Sequence, residues 1–218
     1  MDNIAVTDLE QLRMSTSPKT TVILVIDAQN DFCASDGRIA STGGDIGMIR
    51  GMIPCMADFL KQSRCCGLPI IYLQHINSPE TMSPVWAARR VFSKRGQAVL
   101  CARGSSGAEI IPEVAPQAGD LVVEKNRYSG FIGTRLEVIL RAQAIKSVVV
   151  TGVSTNVCVE STARDAFMRD FFVIVPEDCV ASTHRELHRP ALVNLSQYFA
   201  LITTSTSLVE SWQTEIKG

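Results

Sequence analysis

Short apolar runs alternate along the chain with segments whose apolar residues recur at three- and four-residue spacing. TVILVIDA at 21–28, PIIYLQH at 69–75, LVVEKN at 121–126, SVVVTGV at 147–153, FFVIVPED at 171–178 and ALITTST at 200–206 have strand length and many β-branched residues. They predict six strands. Residues 49–66, 134–144, 156–169 and 184–199 carry the helical period. Gly67 ends the first of these helices, and Thr134 with Glu137 reads as a capping box for the second. Pro190 predicts a fresh turn or a kink in the last. Strands that are apolar throughout are buried on both faces. The pattern therefore predicts a parallel sheet with helices on each side, a three-layer α/β/α fold with right-handed crossovers.

Two stretches fall outside this rhythm. Residues 1–20 are polar and read as an arm with a loose terminus, ahead of a single domain spanning 21–218. Residues 76–119 hold Pro79, Pro84, Trp86, Arg89 and Arg90, and a Gly-Ser-Ser-Gly turn at 104–107. A connection of this length in a compact domain predicts a functional loop or an insertion.

Composition narrows the class. Lys plus Arg number 21 and Asp plus Glu 22, a net charge of −1, which provides no basic field for nucleic acid and no acidic tail. No apolar run reaches the roughly 18 residues of a membrane span. The N-terminus has early acids and no apolar core, unlike a secretory signal. The seven cysteines, at 33, 55, 65, 66, 101, 158 and 179, contain no Cys-x-x-Cys pair. An odd, irregular set of this kind predicts reduced thiols in the cytoplasm. Cys55, Cys65, Cys66 and Cys179 lie in apolar segments and read as buried small residues.

In open parallel sheets, ligands bind beyond the carboxyl ends of the strands. Asp27 ends the first strand, Lys125 ends the third, and the fourth leads through Gly-Val-Ser-Thr-Asn to Cys158. Each alone has a plain structural reading: a turn cap, a solvated charge, a core thiol. Together at one sheet edge they form a nucleophile apparatus. A thiol in the first turns of a helix, with a lysine nearby, is expected to have a lowered pKa. A carboxylate within reach can take its proton and later activate water. The bend before Cys158 offers backbone N–H groups to an oxyanion.

Three segments, VILVIDAQNDF at 22–32, VVEKNRYSGF at 122–131 and VVTGVSTNVCVESTARDAF at 149–167, make the chain resemble the isochorismatase-like cysteine hydrolases. The likeness spans about residues 20–210 and is weak across 76–119. It implies a six-stranded parallel sheet in the order 3-2-1-4-5-6, which makes the first and fourth strands neighbours. It implies a triad of Asp27, Lys125 and Cys158, a cis peptide between Val153 and Ser154, and an oxyanion hole from the Ser154 and Cys158 N–H groups. Lys125 reaches the site in this reading because the loop after the third strand folds inward. The likeness also implies a homo-oligomer, dimer or tetramer, with 76–119 as interface or lid.

Three branches compete. Nicotinamidases are similar but place histidine metal ligands after the first strand, where this chain reads NDFCASDGRIASTGGDIG without histidine. His75, His184 and His188 are the only histidines; the i, i+4 pair His184 and His188 reads as surface or packing, and no metal or cofactor is expected. True isochorismatases need no thiol nucleophile. The branch cleaving ureido and carbamoyl amides, such as ureidoacrylate, N-carbamoyl amino acids, biuret or triuret, is most similar. It implies that Tyr128 and Ser129 face a small-molecule substrate, with Gln74 near the pocket. After the second strand, Gln74-His75-Ile76-Asn77 replaces that branch's aromatic. Arg89, Arg90 and Arg103 are candidate carboxylate binders or solvated surface charges. The competing class is a non-catalytic flavodoxin-like binding module, disfavoured because no Gly-x-Gly-x-x-Gly follows any strand. A depressed Cys158 pKa is expected of the enzyme and an ordinary one of the binder.

Overall fold

The computed structural model describes Leu12, residues 15–88 and residues 99–217. Among the described residues, seven parallel-paired strands form one sheet: β1 Thr21–Ile26, β2 Ile70–His75, β3 Leu121–Lys125, β4 Ser147–Val153, β5 Phe172–Pro176, β6 Val180–Ala181 and β7 Leu201–Thr203. Their order is β3-β2-β1-β4-β5-β7, with β6 paired to β4 off this path. The expected order of six strands therefore holds, the sixth run of the sequence being β7. The two-residue β6 is an addition: it pairs with Gly152 and Val153 of β4, beyond the end of β5. So short an element leaves no periodic trace.

The five longer helices are α1 Gly47–Cys65, α2 Leu136–Ala142, α3 Glu160–Phe167, α4 Arg185–Tyr198 and α5 Ser205–Lys217. None among the described residues is long and apolar enough to cross a membrane. Alternate residues of β1 feed two cores. Val22, Leu24 and Ile26 join Leu136, Ala163 and Leu192 on one face. Ile23 and Val25 join Met56, Leu208 and Trp212 on the other. Both faces of β1 and β4 are buried along their whole length, as unbroken apolar runs require.

Four local expectations change. The last strand stops at Thr203, and Ser205 begins α5, a helix that the strand pattern of ALITTST conceals. Its Trp212 packs on Phe59 of α1 and donates Nε1–H to the Thr16 carbonyl at 2.8 Å. Leu12 and Thr16 are fully buried, so this part of the arm is docked on its own chain rather than loose. Thr134 caps α2 by accepting the Leu136 N–H at 3.1 Å. Glu137 does not complete a capping box; it pairs with Arg169 at 3.1 Å, because a tertiary cation outcompetes the local amide. Pro190 neither ends nor restarts α4, which runs through it.

Candidate active site

At Gly152 the backbone of β4 lies close against that of β1. The glycine's φ is +101°, and a Cβ there would lie 2.1 Å from the Ile26 carbonyl oxygen. Only glycine allows this approach. It sets the residue after Ile26, Asp27, beside the residues after Val153. Asp27 itself has φ +51°, a conformation that aspartate tolerates better than most side chains. Its N–H is anchored on the Leu73 carbonyl at 3.0 Å.

The Val153–Ser154 peptide is cis. Thr155–Val159 then forms a single π-helical turn before α3. The Ser154 carbonyl accepts the Val157 N–H at 3.0 Å and the Val159 N–H at 3.2 Å, passing over the Cys158 N–H between them. Two side-chain contacts hold the turn. Thr162 donates to the Cys158 carbonyl at 2.7 Å and accepts the Gly130 N–H at 3.0 Å, tying α3 to the loop after β3. Thr155 shares a 2.9 Å hydrogen bond with His188 Nδ1 from α4.

Lys125 is the last residue of β3, in register with His75 of β2. β3 lies two steps of about 4.8 Å from β1, a distance spanned by a lysine and an aspartate reaching toward each other. Lys125 Nζ meets Asp27 Oδ2 at 2.9 Å, with the two side chains 0% and 2% exposed. The route to the site is thus the side chain crossing the end of β2, not an inward-folded loop. The loop contributes the Arg127 carbonyl, which accepts the same ammonium at 3.2 Å.

Burial dominates the electrostatics. It pushes Asp27 above the usual carboxylate range, and Lys125 opposes without cancelling it. Burial alone would lower Lys125, but the charge of Asp27, aided by Cys158, holds it above its ordinary value and hence protonated. Cys158 corrects the sequence expectation. Its thiol is raised, not depressed, because full desolvation and the adjacent Asp27 charge outweigh Lys125. A helix-start position cannot offset burial of this depth. The site holds a neutral thiol beside the buried Asp27–Lys125 pair. Asp27 Oδ1 has no hydrogen-bond partner among the described residues, and the Cys158 thiol interacts with both members of the pair. The arrangement can pass a proton from sulfur to carboxylate when a substrate arrives.

A cavity of about 170 Å³ opens onto these groups. Asp27, Ser154, Cys158 and Tyr128 line it. Gln74 and Ser129 do not. Gln74 pairs in register with Glu124, whereas its neighbour His75 pairs with Lys125; strand alternation puts Gln74 on the face away from the site, where it donates to the Ala108 carbonyl at 2.8 Å. The Ser129 hydroxyl is taken by its own turn, accepting the Phe131 N–H at 3.1 Å. Arg103 forms a two-pronged surface pair with Glu124, at 3.2 and 2.9 Å, and is not at the cavity. Arg89 and Arg90 lie outside the described residues.

The structure adds His75, Thr183 and His184 to the polar lining, with Phe32, Ile39, Leu100 and Val157 as apolar walls. Strand parity identifies His75 once β3 and β2 are aligned, because it shares a row with Lys125. His184, expected at the surface or in packing, reaches the cavity mouth from the start of α4 while remaining half-exposed. No local sequence pattern marks it. Residues 76–88 and 99–119 wrap this edge. Gln29 Nε2 donates to the His75 and Ala108 carbonyls at 2.9 and 2.7 Å, and Tyr128 packs on Trp86 at a ring separation of 4.8 Å.

Comparison with known proteins bears on the family and the fold. The family profile described as Isochorismatase domain matches residues 21–207. Ureidoacrylate amidohydrolase RutB of Caulobacter segnis is 35% identical over 200 residues, covering 86% of this chain and 84% of that protein. A cysteine hydrolase from Pseudomonas syringae pv. phaseolicola superposes with a TM-score of 0.78 at 27% identity, covering 91% of this chain and 95% of the other. N-carbamoylsarcosine amidase from Thermoplasma acidophilum gives a TM-score of 0.70 at 31% identity, covering 85% and 96%.

Proposed function

The chain belongs to the isochorismatase domain family, and from that premise we propose that it is a cysteine-dependent amidohydrolase cleaving a C–N bond in a small ureido or carbamoyl compound. The observation that carries this reading is the buried Asp27–Lys125 pair beside Cys158 at the foot of a cavity of about 170 Å³. That volume lies below the roughly 300 Å³ at which drug-sized pockets begin, so it suits a compact substrate. Its polar rim of His75, Tyr128, Thr183 and His184 suits planar amide and carboxylate groups. Relatives named for ureidoacrylate and N-carbamoylsarcosine support the ureido and carbamoyl class. All seven cysteines are free, which supports a reducing, cytoplasmic setting.

In the proposed mechanism, Asp27 takes the Cys158 proton as sulfur attacks the substrate carbonyl carbon. The Ser154 and Cys158 N–H groups receive the developing oxyanion. Asp27 returns the proton to the leaving nitrogen. The C–N bond breaks, ammonia or an amine departs, and a thioester remains. Asp27 then deprotonates water, which attacks the thioester, releases the acid and restores the thiol. Lys125 keeps Asp27 oriented and compensates its charge.

Ammonia or amine release tests the reading, with ureidoacrylate, N-carbamoyl amino acids, biuret, triuret, nicotinamide and a simple amide as substrates. Turnover of a ureido or carbamoyl compound, lost in Cys158→Ala, is the expected result. Turnover of nicotinamide alone, or equal turnover by Cys158→Ala, overturns it.

A further inference from the structure

A second thiol group lies on the opposite face of the sheet. Cys158 belongs to the core packed with Val22, Leu24 and Ile26, and Cys179 to the core packed with Ile23 and Val25. Cys179 and Asp178 come from the turn Glu177–Cys179 between β5 and β6, Cys55 from the middle of α1, and Ser205 from the first residue of α5. Cys55 Sγ lies 3.4 Å from Asp178 Oδ2 and 4.0 Å from Cys179 Sγ. The ligand atoms of Cys55, Asp178 and Cys179 all fall within 4.8 Å of one another.

The two separations from Cys55 match edges of a coordination tetrahedron, and the third, between Cys179 and Asp178, is no more than 4.8 Å. Zinc with bonds of about 2.3 Å to sulfur and about 2.0 Å to oxygen places two sulfurs about 3.8 Å apart and sulfur and oxygen about 3.5 Å apart. The observed 4.0 and 3.4 Å differ from these by a few tenths of an ångström. A disulfide, by contrast, needs its sulfurs at about 2.05 Å. The carboxylate is already oriented: Asp178 accepts the Ser205 N–H at 2.9 Å through Oδ1 and the Ser205 hydroxyl at 2.6 Å through Oδ2. That 2.6 Å contact is too short for two ligands of one ion, so Ser205 steers the carboxylate and leaves the fourth position to water. Ser205 also edges a surface cavity of about 230 Å³.

We propose that Cys55, Cys179 and Asp178 bind one thiophilic d10 cation, of the zinc or cadmium class, in a structural site that ties α1 and α5 to the turn before β6. Two sulfurs and one carboxylate oxygen select such an ion over magnesium or calcium, which prefer oxygen alone. Binding breaks two S–H bonds, forms two metal–sulfur bonds and releases two protons to solvent; no atom changes oxidation state. The histidine ligands that the sequence lacks beside β1 have no part in this site. Because β6 pairs with Gly152 and Val153, the ion would brace the strand end that leads into Ser154.

The test is a cadmium titration of the full-length, reduced, chelator-treated protein, read by the ultraviolet thiolate-to-cadmium charge-transfer band. A Cys158→Ala background removes the active-site thiol from the readout. The expected result is saturation at one equivalent, with Cys55→Ser weakening binding at least about ten-fold and Cys65→Ser leaving it unchanged. Cys55 is only partly buried, so its serine variant keeps the fold, which a melting curve verifies. Zinc should raise the melting temperature of the parent and not that of Cys55→Ser. A titration unaltered by Cys55→Ser, or no saturable band in the Cys158→Ala parent, overturns the proposal.

Discussion

The two faces of the sheet each hold a buried thiol next to a carboxylate, and they differ in what accompanies the pair. At Cys158, the carboxylate of Asp27 is matched by a fully buried ammonium, one of its oxygens has no partner among the described residues, and a cavity leads to the sulfur. At Cys179, Asp178 has both oxygens engaged by Ser205 as the cap of α5, and no lysine or arginine pairs with it among the described residues. On the proposed readings, the first set moves a proton under a substrate and the second holds elements together. Residue type alone does not separate them; the counter-charge and the access route do.

The comparison breaks first at sulfur. Cys158→Ala is expected to lower kcat by about 10³-fold or more in the ammonia-release assay while leaving the melting temperature close to wild type, because it removes the proposed nucleophile and no buried charge. Cys55→Ser, which reaches the site only through the pairing of β6 with β4, should lower kcat far less. A large loss at Cys55 and none at Cys158 would invert the assignment of the two faces.

The ion pair comes next. Lys125→Met strands the Asp27 carboxylate in a dry site, an effect of about 3–5 kcal/mol in a urea melt. Adding Asp27→Asn removes the stranded charge and should recover most of that loss, although the double variant stays inactive. A double variant no more stable than Lys125→Met would show that the pair is not the source of the loss.

A smaller effect sharpens the electrostatics. Only ionised Asp27 can accept the thiol proton, and burial lifts its pKa above the ordinary 3.8. The acid limb of kcat/KM should therefore lie above pH 3.8, with the rate falling as pH drops through the raised value. Lys125 is the group that opposes this rise. Residual activity in Lys125→Met should therefore show its acid limb at still higher pH. A limb at or below the ordinary value would place the essential carboxylate elsewhere.

The smallest effect is a ranking. With iodoacetamide at neutral pH, exposed Cys65 should label before Cys158, whose thiol is buried and raised. Faster labelling of Cys158 would mean that a thiolate exists before substrate binds.

Much of the fold was legible because it is written in short-range patterns. Unbroken β-branched runs such as TVILVI and SVVVTGV can only be strands buried on both sides, and the polar residues that close them mark the sheet edge where ligands bind. Asp27, Lys125 and Cys158 were visible for that reason, each as the reactive residue at a strand's carboxyl end. ALITTST shows how far such patterns reach: Thr203 ends the strand and Ser205 starts a helix, because Asp178, 27 residues earlier in the chain, caps it.

What the tertiary structure alone decided is whatever depends on two distant residues meeting. Strand register put His75 rather than Gln74 beside Lys125. Depth of burial, summed over every neighbour, turned the Cys158 thiol from an expected anion into a neutral acid. The packing of α1 against α5 brought Cys55 to Asp178 and Cys179, across 123 and 124 residues of chain. Sequence carries the chemistry of each side chain and the period of its segment; desolvation and distance belong to the assembled molecule, because both are set by neighbours that the chain order does not name.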